Sequence, residues 1–147
     1  MTDHYIEGRT TEARRTRSNR RANVLVYEEL TNAIYGAAIE VHKELGPGLL
    51  ESAYEECLCR EFSLREPQFQ RQVPLPVTYK GVRLDCGYKL DLVVADKVVL
   101  ELNAIEEVHA LHHAQLLTYL RLSGKKVGLL MNFNVALMKD GITRLIL

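Results

Sequence analysis

The apolar residues of this chain change their spacing from helical to alternating and back, and that order of periods leaves few folds open. Over residues 24–44, Leu25, Leu30, Ile34, Ala37, Ala38 and Val41 mostly recur every three or four positions, the spacing of an amphipathic helix. Gly46-Pro47-Gly48 ends it, because glycine accepts a left-handed backbone and proline cannot continue the helical ladder. A second helix is predicted over residues 49–62, with Pro67 marking the loop behind it. Val73, Leu75, Val77 and Tyr79 then alternate as in a strand, up to a turn at Lys80-Gly81. Residues 82–94 form a second extended run, and Ala95-Asp96-Lys97 turns the chain into a third at 98–102. Helical spacing returns over 108–122, followed by strands at 127–133 and 142–147. The order predicts a mixed α/β sandwich whose first three strands form an antiparallel meander.

Composition bounds the chain without assigning a function. Its 147 residues suit one compact domain, and 47% apolar with 26% charged residues exclude a disordered chain or a fibre. Nineteen basic residues balance nineteen acidic ones, which argues against bulk charge-driven binding to DNA but leaves a local basic face open. Cys57, Cys59 and Cys86 lack the spacing of a structural zinc site and read as thiols in a reducing compartment. No apolar run approaches the roughly 18 residues that span a bilayer, and no signal peptide is visible, so a cytoplasmic protein without a membrane partner is expected. Residues 1–23 are arginine-rich and nearly free of aliphatic side chains, so they are expected to form a disordered leader to a domain at 24–147. That leader reads either as a basic arm for nucleic-acid phosphates or as a solvated tail.

The chemistry-bearing residues stand out by where they sit. Asp91 lies between Leu90 and Leu92, and Glu101 between Leu100 and Leu102. Burying a charge is costly unless it is paired or binds a metal. The turn at Asp96 sets the two carboxylates nearly opposite each other on neighbouring strands. They form either a site for a hard divalent cation, magnesium or manganese, or an edge pair facing water or partnered by Arg83 or Lys89. Gly48, Glu51 and Tyr54 make a G-x-x-E-x-x-Y pattern with Glu51 in the first turn of the second helix, where the helix dipole alone favours a carboxylate. Gln115 and Tyr119, four apart, share one face of the third helix. His109, His112 and His113 have spacings that suit either zinc or a solvent-facing rim. His42, near the end of the first helix, suits the helix dipole.

Taken together, these residues resemble the GxxExxY protein family, a small-domain branch of the PD-(D/E)XK nuclease superfamily. The resemblance spans residues 30–146 and rests on "ELGPGLLESAYEECL", "YKLDLVVADKVVLELNAIEEV", "HHAQLLTYLRLSGKKVGLLMNFN" and "LMKDGITRLIL". It implies a restriction-endonuclease-like α/β sandwich, with a central mixed sheet of about four to five strands flanked by helices. It also implies magnesium- or manganese-dependent hydrolysis of nucleic-acid phosphodiesters, DNA ahead of RNA, with a homodimer where both strands are cut. By the same resemblance Asp91, Glu101, Glu51 and the carbonyl of Leu102 ligate the metal, while Gln115 and Tyr119 orient phosphate or metal-bound water.

One position departs from the family pattern. Two residues after Glu101 the family carries lysine, and this chain has Asn103. Asparagine donates a hydrogen bond but brings no charge to the attacking water or the phosphate. Three accounts stay open: a member that binds without cutting, an active enzyme with a substitute cation, and a deliberate inactivation. Lys89 and Lys97 are the nearest substitutes in sequence, and strand alternation from Asp91 favours Lys89. The alternative function is a noncatalytic nucleic-acid-binding or protein-interaction domain on the same fold.

Overall fold

A computed structural model describes the backbone of residues 4–65 and 67–147, and the side chains of 14–15, 27–65 and 67–147. The chain divides into two compact units, residues 1–32 and 33–147. The first unit is helical from His4, the start of helix α1 (His4–Leu45). Arginine and alanine favour the helical state, and extending an existing helix costs far less than starting one.

In the second unit the helical spacing becomes packing. Ile34, Ala37, Ala38 and Val41 of α1 are buried, as are Tyr54, Leu58 and Phe62 of α2 (Glu51–Arg65), which lie on one face. His42 donates from Nε2 to the Val135 carbonyl at 2.8 Å, a specific tie beyond the dipole role expected of it. Helix α3 (Ala110–Ser123) ends at Gly124, whose left-handed φ of 71° closes the helix as its sequence predicts.

Five strands make one mixed sheet in the order β1-β4-β5-β6-β7: β1 (Phe69–Pro74), β4 (Lys89–Val94), β5 (Val98–Asn103), β6 (Val127–Asn132) and β7 (Ile142–Ile146). All neighbours are antiparallel except β5 and β6, which run parallel and are joined through α3. Strand β6 is buried along its whole length, as the continuous apolar run from Val127 requires. At Gly128 an added Cβ would lie 3.0 Å from the Leu116 side chain, so glycine permits the close seat of α3 on β6.

The meander expected from the alternating residues is present as β1-β4-β5, but its first two strands have other limits. The alternation at 73–79 spans the end of β1 and a separate strand β2 (Val77–Tyr79), while the run at 82–94 splits into β3 (Val82–Leu84) and β4. Strands β2 and β3 pair only with each other. Two local causes account for the break. Pro74 and Pro76 have no N–H to give a ladder. The Asp85 carboxylate accepts the Gly87 amide at 3.0 Å, with Gly87 at a left-handed φ of 75°.

Candidate active site

The register of β4 against β5 sets Leu92 opposite Leu100, and continued by one residue it sets Asp91 opposite Glu101. Here side chains take over from the backbone ladder. The Leu102 amide donates to Asp91 Oδ2 at 2.9 Å, and the Asp91 amide donates to Glu101 Oε1 at 3.4 Å. On the other flank of β4, β1 pairs Arg71 with Leu92 and Val73 with Leu90, skipping Gln72 and Asp91. Gln72 has a φ of 49°, a left-handed backbone that a residue with a side chain adopts only when its surroundings hold it there. Leu90 and Val93, three apart, both join the core cluster that contains Leu116 and Tyr119 of α3. Strict alternation is therefore broken around Asp91, and the face argument that favoured Lys89 as a substitute cation does not carry through the bend.

Burial dominates the electrostatics of the pair. It pushes the Glu101 carboxyl up to about 8, reinforced by the adjacent Asp91 charge and by Glu51. Burial also raises Asp91 above the usual carboxylate range, against the Leu102 amide that lowers it, and the charges of Glu55 and Glu51 push the same way. With Glu101 raised to about 8, the pair retains a proton at neutral pH.

Helix α2 brings the third carboxylate. Gly48, with a φ of 99°, turns the chain so that α2 starts at Glu51, whose Oε1 accepts the Ala104 amide at 3.3 Å. One turn on, the buried Tyr54 latches that entry. Its hydroxyl donates to the Gly46 carbonyl at 2.6 Å and accepts the Leu49 amide at 3.1 Å, and its ring stacks on Phe133 with centroids 4.5 Å apart. The three named residues of the G-x-x-E-x-x-Y pattern thus do three jobs: a turn, a carboxylate at the site and a fastener.

A cleft of about 210 Å³ opens beside the pair, lined by Glu51, Ser52, Glu55, Gln72, Asp91 and Leu102. Glu55 and Gln72 are additions to the residues singled out from sequence. Gln72 Nε2 donates to Glu55 Oε1 at 2.6 Å, and Arg71 Nη2 reaches Glu55 Oε2 at 2.9 Å and Glu56 Oε1 at 2.8 Å. The i, i+4 spacing of Glu51 and Glu55 on one helical face was the sequence signal for Glu55. The strained Gln72 had none.

Gln115 and Tyr119 do not line the cleft. Gln115 Nε2 donates to the Tyr119 hydroxyl at 2.7 Å. Burial raises the Tyr119 phenol above its ordinary value, and the Glu101 and Asp91 charges add to that against the lowering effect of Gln115, so the pair lies within electrostatic reach of the carboxylates. Asn103 ends β5 beside Asn132 of β6, with its carbonyl accepting the Phe133 amide at 2.9 Å. The buried Asn132 is another residue missed from sequence. Its side chain accepts the Ile105 amide at 3.1 Å and donates to the Ile105 carbonyl at 2.9 Å, fixing the chain where it leaves β5.

Among the described residues, no three His, Cys, Asp or Glu side chains converge closely enough to hold a metal ion. His112 Nδ1 accepts the His109 amide at 2.9 Å, at the start of α3. Asp91, Glu101 and Glu51 each accept a backbone amide on one oxygen, which leaves the other oxygen of each free of an amide bond. The chemistry of the set suits a hard divalent cation, since the donors are carboxylate oxygens.

A mixed five-stranded sheet flanked by helices, with opposed carboxylates on adjacent central strands, defines a restriction-endonuclease-like α/β domain. Residues 28–145 match the PD-(D/E)XK nuclease superfamily, and the chain belongs to it. No curated protein and no solved structure gives a significant match. Among the described residues, no helix is long and apolar enough to cross a membrane.

Proposed function

We propose that this domain is a magnesium- or manganese-dependent nuclease of the GxxExxY branch, hydrolysing phosphodiester bonds in DNA ahead of RNA. The observation that carries the reading is the half-buried Asp91–Glu101 pair, with Asp91 on the wall of an open cleft whose lining contains no basic side chain. Asp91, Glu101, Glu51 and the Leu102 carbonyl would hold the ion, all of them hard oxygen donors. A divalent cation bound there supplies an activated water and charge stabilisation for the phosphate. Tyr119, with its phenol raised, keeps its proton and stays a hydrogen-bond donor, and with Gln115 it orients the phosphate. Asn103 donates without charge where the family uses an ammonium, which makes the enzyme slow. Three free cysteines suit the cytoplasm, and a homodimer serves when both strands are cut.

Asn103 also favours a second reading, a noncatalytic nucleic-acid-binding or protein-interaction domain. Incubating the purified protein with manganese or magnesium and labelled single- and double-stranded DNA and RNA separates the two. The nuclease reading expects cleavage that EDTA and Asp91→Asn abolish. Absence of cleavage with either metal, in the protein and in Asn103→Lys alike, would leave the noncatalytic reading.

A further inference from the structure

The β2–β3 hairpin stands apart from the core. All its residues but Val77 are exposed, and that one is half-buried. In the ladder Val77 faces Leu84 and Tyr79 faces Val82, so these four share one side of the ribbon, while Thr78 and Arg83 share the other. Tyr79 is 60% exposed, Val82 57% and Leu84 41%, an apolar and aromatic face open to solvent. A two-stranded ribbon is marginal by itself, so this surface is not explained by packing.

Charge narrows what it meets. Residues 77–89 hold Lys80, Arg83 and Lys89 against Asp85 alone, in a chain with no net charge. Lys80 Nζ sits 5.4 Å from the centre of the Tyr79 ring, so ring and cation are presented together. The ribbon leads directly into the site. Lys89 opens β4 and Asp91 lies two residues on, about 7 Å along an extended strand. Tyr88, between ribbon and β4, has its ring 6.0 Å from that of Tyr119.

We infer that the β2–β3 hairpin docks a single-stranded stretch of nucleic acid beside the cleft, with bases against Val77, Tyr79, Val82 and Leu84 and phosphates on Lys80 at the turn and Lys89 at the entry to β4. A base offers its flat face to an exposed ring only when it is unstacked, which selects a single strand over a duplex. The excess of cations selects a polyanion over an apolar protein surface. The inference rests on the nuclease reading for the direction in which the strand runs, but the docking itself requires no cleavage.

The test is fluorescence anisotropy of a labelled single-stranded oligonucleotide in EDTA, with DNA and RNA arms and a duplex control. Tyr79→Ala is expected to weaken binding about tenfold, with Tyr79→Phe restoring it. Lys80→Ala is expected to flatten the slope of log affinity against log salt by about 0.7, the loss of one phosphate contact, while Arg83→Ala on the opposite side leaves affinity and slope unchanged. Duplex should bind more weakly than either single strand. Unchanged affinity and salt slope in Tyr79→Ala and Lys80→Ala would overturn the inference, as would a dimer that assembles through this face and dissociates in Val82→Arg. Hydrolysis of bis(4-nitrophenyl) phosphate with manganese keeps the two readings separate. The hairpin variants should retain it, and its absence in the unmodified protein counts against the nuclease while leaving the docking result intact.

Discussion

The amide of Asp91 donates to Glu101 Oε1 at 3.4 Å, so two carboxylate-bearing residues meet where β4 and β5 would otherwise continue their ladder. The bond joins the acidic pair to the backbone of the central strands, and a change at either residue alters both charge and sheet.

The first consequence is a pH-dependent stability of unusual sign. Glu101 titrates near 4.5 when unfolded and about 8 when folded, so the folded state binds the proton more tightly. Its stabilising effect is full below the unfolded value and is lost as pH rises through the folded one. Asp91, also raised, acts in the same direction. With chelator present, the melting temperature should fall by roughly 10 °C between pH 5 and pH 9. Glu101→Gln, which cannot ionise, should flatten that fall. Parallel profiles for the two proteins would contradict the assignment.

Tyr54→Phe keeps the stacked ring and deletes two hydrogen bonds to the loop that positions Glu51. A loss of about 2 kcal/mol is expected, read by urea denaturation with an unchanged m-value. A loss below about 0.5 kcal/mol would mean the latch is idle.

Asn132→Leu should cost more, about 3 kcal/mol, because it strands both the amide and the carbonyl of Ile105 in a part-buried setting. Slowed hydrogen exchange at Ile105 in the unmodified protein, lost in the variant, checks the same contact.

Asn103→Lys should raise manganese-dependent cleavage by about 10²- to 10³-fold, the usual effect of one well-placed electrostatic group. The rise should appear in kcat rather than KM, since the added charge acts on developing negative charge.

Much of this architecture was readable because burial imposes period. The apolar run from Val127, the Leu-Asp-Leu and Leu-Glu-Leu interruptions and the glycine caps each have one cheap structural solution. The strand limits around Pro74 and Gly87 were not readable, because Leu75 and Val77 continue an alternating pattern after the backbone has left the sheet. Gln72 and Asn132 were hidden for another reason. Their roles arise only when β1 and β6 arrive beside β4 and β5.

The central claim is that Asp91 and Glu101 form a divalent-cation site, and manganese titration by isothermal calorimetry tests it most directly. The account predicts one saturable site in the unmodified protein, accompanied by proton release from the raised pair, and no binding in Asp91→Asn with Glu101→Gln. Binding of equal strength in both proteins, or none in either, would contradict it.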